Sequence, residues 1–97
     1  MVQAVATLKA AVETGTTAED FRKYRTAVFA SYEIHGQTLS HLQLNMDGLR
    51  EDCDDIETVW GATPDAIKTE QFLKYRRETA LTKVRDDCVA ILAQLRR

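Results

Sequence analysis

Apolar residues recur between Phe21 and Trp60 at alternating steps of four and three along the chain. Ten of the twelve positions in this series carry an apolar or aromatic side chain, and only Arg25 and His35 interrupt it. Such a heptad series is typical of one face of an α-helix that packs against other helices. It predicts one long helix over 17–60, in which the polar His35 fixes the register of packing.

Shorter helices are predicted on both sides of this segment. Apolar residues at helical spacing indicate a helix over 2–14, and Gly15 follows where a left-handed C-terminal cap is usual. Thr17 is suited to cap the start of the long helix. Pro64 stands at a favourable first helical position, which predicts a third helix over 64–96.

These elements predict an all-α fold in which residues 1–97 form a single helical domain. The helices over 17–60 and 64–96 form a long antiparallel hairpin, and the short helix over 2–14 packs beside it. A hairpin of this length buries only one side of each helix, so we expect a homodimeric four-helix bundle. The alternative is a monomer in which the N-terminal helix completes a three-helix core.

Composition excludes several classes of function. Thirteen lysine and arginine residues face fifteen aspartate and glutamate residues, which leaves a formal net charge of −2. This charge disfavours nucleic acid and anionic membranes as partners, and no apolar run is long enough to cross a bilayer. We therefore expect a cytoplasmic protein with no nucleic-acid partner and no membrane association.

The cysteine pattern points to a reducing compartment. Cys53 and Cys88 both lie on apolar stripes, so we expect two free thiols in the core. No paired-cysteine motif and no Glu-x-x-His motif occurs, and no glycine-rich nucleotide loop is present. We expect no metal site and no cofactor.

An acidic run occupies residues 51–57, with five carboxylates in seven residues. In the predicted hairpin, Lys68 and Lys74 lie near this run. We interpret it as a solvated and partly paired helix face. The alternative is a docking site for a basic partner, and neither interpretation implies catalysis.

Residues 29–39 carry a resemblance to a known family in the sequence F-A-S-Y-E-I-H-G-Q-T-L. This segment resembles the phosphoacceptor helix of nitrate-sensor-type bacterial histidine kinases, which reads roughly R-E-L-H-D-x-L-G-Q-x-L. That helix belongs to the dimerisation and phosphoacceptor domain of the kinase. The similarity continues to residue 49, and residues 80–96 are more loosely similar to the second helix of the same domain.

The resemblance implies a degenerate member of that family, because Tyr32 stands where the phosphoacceptor histidine should be. A phenol with a pKa near 10 cannot replace the imidazole nitrogen that attacks a phosphoryl group near neutral pH. The resemblance then implies a non-catalytic dimeric module of two-component signalling that binds a response regulator or a histidine kinase. Tyr32, Glu33, Gln37 and His41 are the expected contacts with the partner.

Two alternatives remain for the function. Members of the kinase class carry D-x-x-x-Q after the acceptor, and Glu33 with Gln37 matches this spacing with Glu in place of Asp. Residues four apart share a helix face, so the pair could orient a water molecule that hydrolyses the aspartyl phosphate of a response regulator. The other alternative is a generic helical adaptor or a small secretion-related protein.

Overall fold

The computed structural model of this protein describes residues 1–96, and the predicted all-α fold is confirmed. Arg97, the last residue of the predicted domain, lies outside the described residues. In the described part, the helices are α1 (Val2–Thr14), α2 (Ala18–Ile34), α3 (Gln43–Gly61) and α4 (Glu70–Leu95), with a 3-10 helix at Ser40–Leu42 before α3. The predicted helix over 2–14 therefore has the bounds of α1.

The single long helix predicted over 17–60 is wrong. The chain reverses direction between α2 and α3, so that these two helices run antiparallel. Arg25 in α2 pairs with Glu57 in α3. The rings of Phe21 and Trp60 meet edge to face, with their centroids 5.1 Å apart. Both contacts join residues more than thirty positions apart in sequence, which a straight helix would separate widely.

Weak helix formers explain where the reversal occurs. Gly36, Thr38 and Ser40 follow one another at every second position in the connection. Glycine costs about 1 kcal/mol relative to alanine inside a helix, and serine and threonine are also poorer helix formers than alanine. Packing of the apolar residues of α2 against those of α3 then stabilises the reversal by more than the few backbone hydrogen bonds that a continuous helix would add.

The four helices form an up-down-up-down bundle in which each helix is antiparallel to the next. Helix α4 packs closely against α1 and α3, and α1 also packs against α2. Helices α2 and α3 approach each other less closely and meet through long side chains. The bundle measures 48 × 22 × 19 Å. One chain thus supplies four packed helices, and the uncovered hairpin side that suggested a second copy is absent.

The core follows the predicted heptad series in spite of the reversal. Phe21 and Val28 in α2 are fully buried, and the series continues through the 3-10 helix into α3. The buried hydrophobic residues are Val5, Leu8, Phe21, Val28, Leu42, Met46, Leu49, Cys53, Ile56, Val59, Leu73, Ala80, Val84, Cys88, Ile91 and Leu92. The four-and-three spacing of the apolar residues therefore identified the buried face correctly in both α2 and α3.

Side-chain caps define the starts of α2 and α4. The Thr17 hydroxyl oxygen accepts a hydrogen bond from the Asp20 N–H at 3.1 Å, as the predicted cap requires. Helix α4 begins at Glu70 and not at residue 64, because Thr69 provides its cap by accepting from the Phe72 N–H at 3.1 Å. The predicted start of the third helix is therefore wrong.

A turn centred on Asp65 occupies the place of that predicted helix start. The Asp65 Oδ1 atom accepts hydrogen bonds from the N–H groups of Ile67 at 2.8 Å and Lys68 at 2.7 Å. The Asp65 N–H donates to the carbonyl of Lys68, also at 2.8 Å. An aspartate that bonds its own neighbouring backbone in this way competes with helix formation. These bonds also lower the pKa of the Asp65 carboxyl.

Gly15 ends α1 with a positive φ of 109°, which residues with a side chain rarely adopt. We expect Gly15→Ala to lower the free energy of unfolding by about 1–2 kcal/mol, because alanine is strained in this conformation. Urea denaturation measures the loss. Gly61→Ala is the matched control, since an added methyl group meets nothing within 4 Å there and the φ is not positive. An equal effect of the two substitutions would contradict this account.

Candidate functional site

Helix α2 ends two residues after the position that the kinase resemblance assigns to the phosphoacceptor. Tyr32 lies in its last turn, Ile34 is its last residue, and His35 is the cap. One further turn follows, closed by a hydrogen bond of 3.1 Å from the Leu39 N–H to the His35 carbonyl. The segment with the resemblance therefore spans a helix end and a turn.

The four predicted partner-binding residues lie at one end of the bundle, where α2 passes into α3. Tyr32 is half-buried and packs against the core. Glu33, Gln37 and His41 are exposed to solvent. Their exposure leaves three polar side chains of different chemistry available to a partner, next to an aromatic ring held in place by packing.

The shared helix face assumed for the phosphatase hypothesis is absent. Glu33 lies in the last turn of α2, whereas Gln37 lies in the turn that follows the helix. Residues four apart face the same side only while the chain remains helical. The structure thus brings Glu33 and Gln37 to one end of the bundle but does not align them as neighbours on a helix.

The role predicted for His35 is also wrong. The heptad series predicts that His35 lies on the buried face and fixes the register of packing. His35 is the C-terminal cap of α2 and is exposed. Because the helix ends here, the heptad series no longer directs the side chain towards the core.

Exposed aliphatic residues surround the predicted site. Ile34 is 79% exposed and Leu44 is 86% exposed, on the two helices that flank the turn, and Val2 of α1 is also exposed. A cleft of about 230 Å³ opens at the same end, lined by Met1, Val2, His35, Thr38, Leu39 and Leu95. Exposed aliphatic side chains near one end of a bundle are candidates for contacts with another protein. We call this surface the α2–α3 end.

Sequence reasoning missed the two aliphatic residues of the α2–α3 end. Ile34 and Leu44 lie off the heptad series, so that pattern did not identify them. Their position off the series does not mark them as exposed, because Val59 is also off the series and is buried. Their exposure follows from the tertiary structure, and exposed aliphatic residues are candidates for contacts with a partner.

The acidic run on α3 is paired in part, as predicted, although its main partners are on α2. Arg25 pairs with both Asp54 and Glu57, and Arg22 Nε lies 2.9 Å from Glu57 Oε1. Of the basic residues on α4, Arg76 approaches Asp55 at 3.6 Å. These ion pairs join α3 to its two neighbouring helices and give the run a structural role.

Two carboxyl groups of neighbouring helices form a pair within this region. Asp87 of α4 is half-buried and lies close to Asp52 on α3, and its buried Oδ2 atom has no hydrogen-bond partner in the described structure. Burial raises the pKa of the Asp87 carboxyl to about 7, with further contributions from the neighbouring carboxyl of Asp52 and from the charge of Asp86. Burial and a neighbouring carboxylate both disfavour the charged form of Asp87, so Asp87 holds a proton below neutral pH.

Neither cysteine is suited to nucleophilic chemistry. Cys53 and Cys88 are free thiols and are fully buried, which confirms the prediction of two free thiols in the core. Burial raises the pKa of each thiol to about 12. Because the thiolate is the reactive form, both groups are unreactive near neutral pH.

Within residues 1–96, no group of three or more His, Cys, Asp or Glu side chains is placed to hold a metal ion. None of the helices in this range is long and apolar enough to cross a membrane. No protein-family model, no curated protein and no solved structure matches this chain. The kinase resemblance stays a prediction that rests on the residues named above.

Proposed function

We propose that this chain is a non-catalytic protein-binding module of two-component signalling, and that its α2–α3 end binds a response regulator or a histidine kinase. A cytoplasmic location belongs to the same proposal. The observation that carries protein binding is the exposure of Ile34 and Leu44 on either side of the turn that contains Gln37. The identity of the partner rests on the sequence resemblance.

The composition of the α2–α3 end supports binding of a folded protein. The exposed side chains of Ile34 and Leu44 would lose water on contact with a partner, and each fully buried one contributes roughly 1.5–3 kcal/mol. The exposed Glu33, Gln37 and His41 would surround such a contact with hydrogen-bonding groups. An apolar centre with a polar rim is the usual arrangement of specific protein interfaces.

We expect the double variant Ile34→Ser, Leu44→Ser to bind its partner at least tenfold more weakly than the wild type. The two side chains contribute apolar contact area, and tenfold in affinity corresponds to about 1.4 kcal/mol. Biolayer interferometry against purified response regulators, with and without beryllofluoride as a phosphoryl mimic, measures the change. Both residues are exposed, so the substitutions should leave the thermal unfolding midpoint nearly unchanged.

Val89→Ser is the matched control, because Val89 is an exposed aliphatic residue of α4 outside the α2–α3 end. We expect this variant to bind like the wild type. Binding that survives in the Ile34 and Leu44 double variant would exclude this surface. A regulator panel and a histidine-kinase panel that both give no binding would remove two-component signalling from the proposal and would favour a generic adaptor.

The predicted homodimer is a second candidate for the same surface. Exposed Ile34 and Leu44 could meet their counterparts across a two-fold axis, since an isologous interface repeats the same patch on both copies. Light scattering of the wild type and of the double variant over a range of concentrations tests this. A dimer that the double variant loses would assign the α2–α3 end to self-association, and a monomer throughout would leave the surface to another protein.

The phosphatase alternative is tested with the same regulators. Glu33 and Gln37 are exposed but do not share a helix face, so we expect no acceleration of aspartyl-phosphate hydrolysis. Acceleration that Gln37→Ala abolishes would reverse this expectation and establish a catalytic role for the glutamine.

A further inference from the structure

A second exposed apolar surface lies at the opposite end of the bundle, where α3 passes into α4. Ile67 in the connection is 90% exposed. Phe72 and Tyr75 in the first turns of α4 are 44% and 65% exposed. Because Phe72 and Tyr75 are three residues apart on a helix, their side chains lie next to each other. Three large apolar side chains within nine residues are thus exposed in the described bundle.

A groove between α3 and α4 adjoins these residues. Its volume is about 100 Å³, which suits one aliphatic side chain. Its apolar walls are Val59, Ala62, Phe72 and Leu73, and Lys68 and Arg76 also line it. We call this surface the α3–α4 groove. It offers an apolar floor with cationic groups at its edge.

The charge of the groove differs from that of the rest of the molecule. The chain as a whole has a formal net charge of −2. Lys68 forms no ion pair within residues 1–96, and Arg76 has only the 3.6 Å approach to Asp55. Three further carboxylates lie close by in sequence: Asp65 accepts two backbone hydrogen bonds, Glu57 pairs with Arg22 and Arg25, and Glu70 is exposed in the first turn of α4. Two cations therefore face solvent beside an apolar groove, on a protein that is otherwise slightly acidic.

We propose that the α3–α4 groove binds an acidic segment of a partner protein, which inserts an apolar side chain between Val59 and Phe72. Carboxylates of the segment pair with Lys68 and Arg76, and Ile67 covers the inserted side chain. Opposite charges across an interface direct the encounter and set its orientation. An apolar anchor in a groove between two helices is a common mode of peptide recognition.

A concave apolar site favours a peptide over a membrane or a nucleic acid. Residues that insert into a bilayer stand on a convex surface among several cations, whereas here two cations border a groove. Recognition of nucleic acid needs a wider positive field than Lys68 and Arg76 provide beside Asp55. This surface is distinct from the α2–α3 end, so the inference does not depend on the proposed function.

The probe is a fluorescein-labelled amphipathic peptide with leucine at every third or fourth position and glutamate at most other positions. A matched peptide carries lysine in place of each glutamate. We expect the acidic peptide to bind at least fivefold more tightly than the basic one, and to shift the backbone amide resonances of residues 58–76 in a ¹⁵N-labelled sample. Higher salt should weaken this binding.

Two single variants and their controls locate the contact. Lys68→Glu and Ile67→Ser are each expected to weaken binding of the acidic peptide at least fivefold. Lys23→Glu makes the same change of net charge on α2, and Val89→Ser removes an exposed aliphatic side chain of α4 outside both surfaces. We expect these two controls to bind like the wild type. All four positions are exposed, so the folded bundle should be retained in every variant.

Three results would overturn the inference. The first is equal affinity for the acidic and basic peptides, and the second is an equal loss in Lys23→Glu and Lys68→Glu. The third is failure of the acidic peptide to bind while phosphatidylserine vesicles or a single-stranded oligonucleotide do bind. In that case the same two cations and exposed aromatic rings would serve a membrane or a nucleic acid.

Discussion

Replacing Phe21 by alanine should lower the free energy of unfolding by about 3–5 kcal/mol, the usual range for a buried phenylalanine. Phe21 has no exposed surface, and its ring meets that of Trp60 edge to face at 5.1 Å. The substitution would remove this contact and leave a cavity between α2 and α3. Urea denaturation followed by circular dichroism measures the loss.

Phe21 is a sensitive position because few close backbone contacts join α2 to α3. The two helices depend on side chains that reach across the gap, namely this aromatic pair and the ion pairs of Arg25. A cavity at this point therefore weakens the least closely packed pair of neighbouring helices. We expect the denaturant midpoint to fall without a change in the all-helical spectrum of the folded state.

Tyr75→Ala is the matched control, because it removes an aromatic ring of similar size that is 65% exposed on α4. Surface substitutions of this kind usually change stability by less than about 0.5 kcal/mol. A loss below about 1 kcal/mol in Phe21→Ala, or an equal loss in both variants, would show that Phe21 does not occupy the core.

The stability of the wild type should fall as the pH rises from 5 to 8. Asp87 has a pKa of about 7 in the folded protein, raised first by burial and then by Asp52, from an ordinary value of 3.8. Between these values the folded protein holds a proton that the unfolded chain has lost. The stabilisation that this proton gives the folded protein is complete below pH 4 and is lost as the pH rises through 7. Because Asp87 is only half-buried, water screens the pair, and we expect a total of about 1–2 kcal/mol.

Asp87→Asn should remove most of this dependence, since the amide can donate to Asp52 without a proton from solvent. We expect the variant to match the wild type near pH 5 and to exceed it in urea midpoint at pH 8. Asp47→Asn is the control, because Asp47 is exposed on α3 and is not among the groups that raise the pKa of Asp87. A wild-type urea midpoint that stays constant or rises between pH 5 and 8 would show that Asp87 does not hold a proton in the folded protein over this range.

The helix break in the middle of the chain shows the limit of periodicity as a guide. The heptad series passes through residues 35–39 with His35 and Leu39 in phase, so it gives no sign that the helix ends. A straight helix and an antiparallel hairpin present the same stripe of apolar residues. Only Gly36 and the weak helix formers after it indicated where the helix ends. Such residues are not a reliable sign, because Gly48 lies inside α3 without a break.

The candidate site shows the same limit from the functional side. The resemblance identified Tyr32, Glu33, Gln37 and His41 as one group, and the structure places all four at one end of the bundle. Their mutual orientation depended on an unbroken helix, which the chain does not form. The exposed Ile34 and Leu44 became visible only when the direction of each side chain was known.

The sequence by itself determined the all-α class, the buried stripe and the start of α2. These properties depend on residues within one or two turns of each other, as in the hydrogen bond between Thr17 and Asp20. The tertiary structure decided the reversal between α2 and α3, the pair of Asp52 with Asp87 and the two exposed ends. These features depend on contacts between residues 30 or more positions apart. A local sequence pattern does not determine the free energy of such contacts.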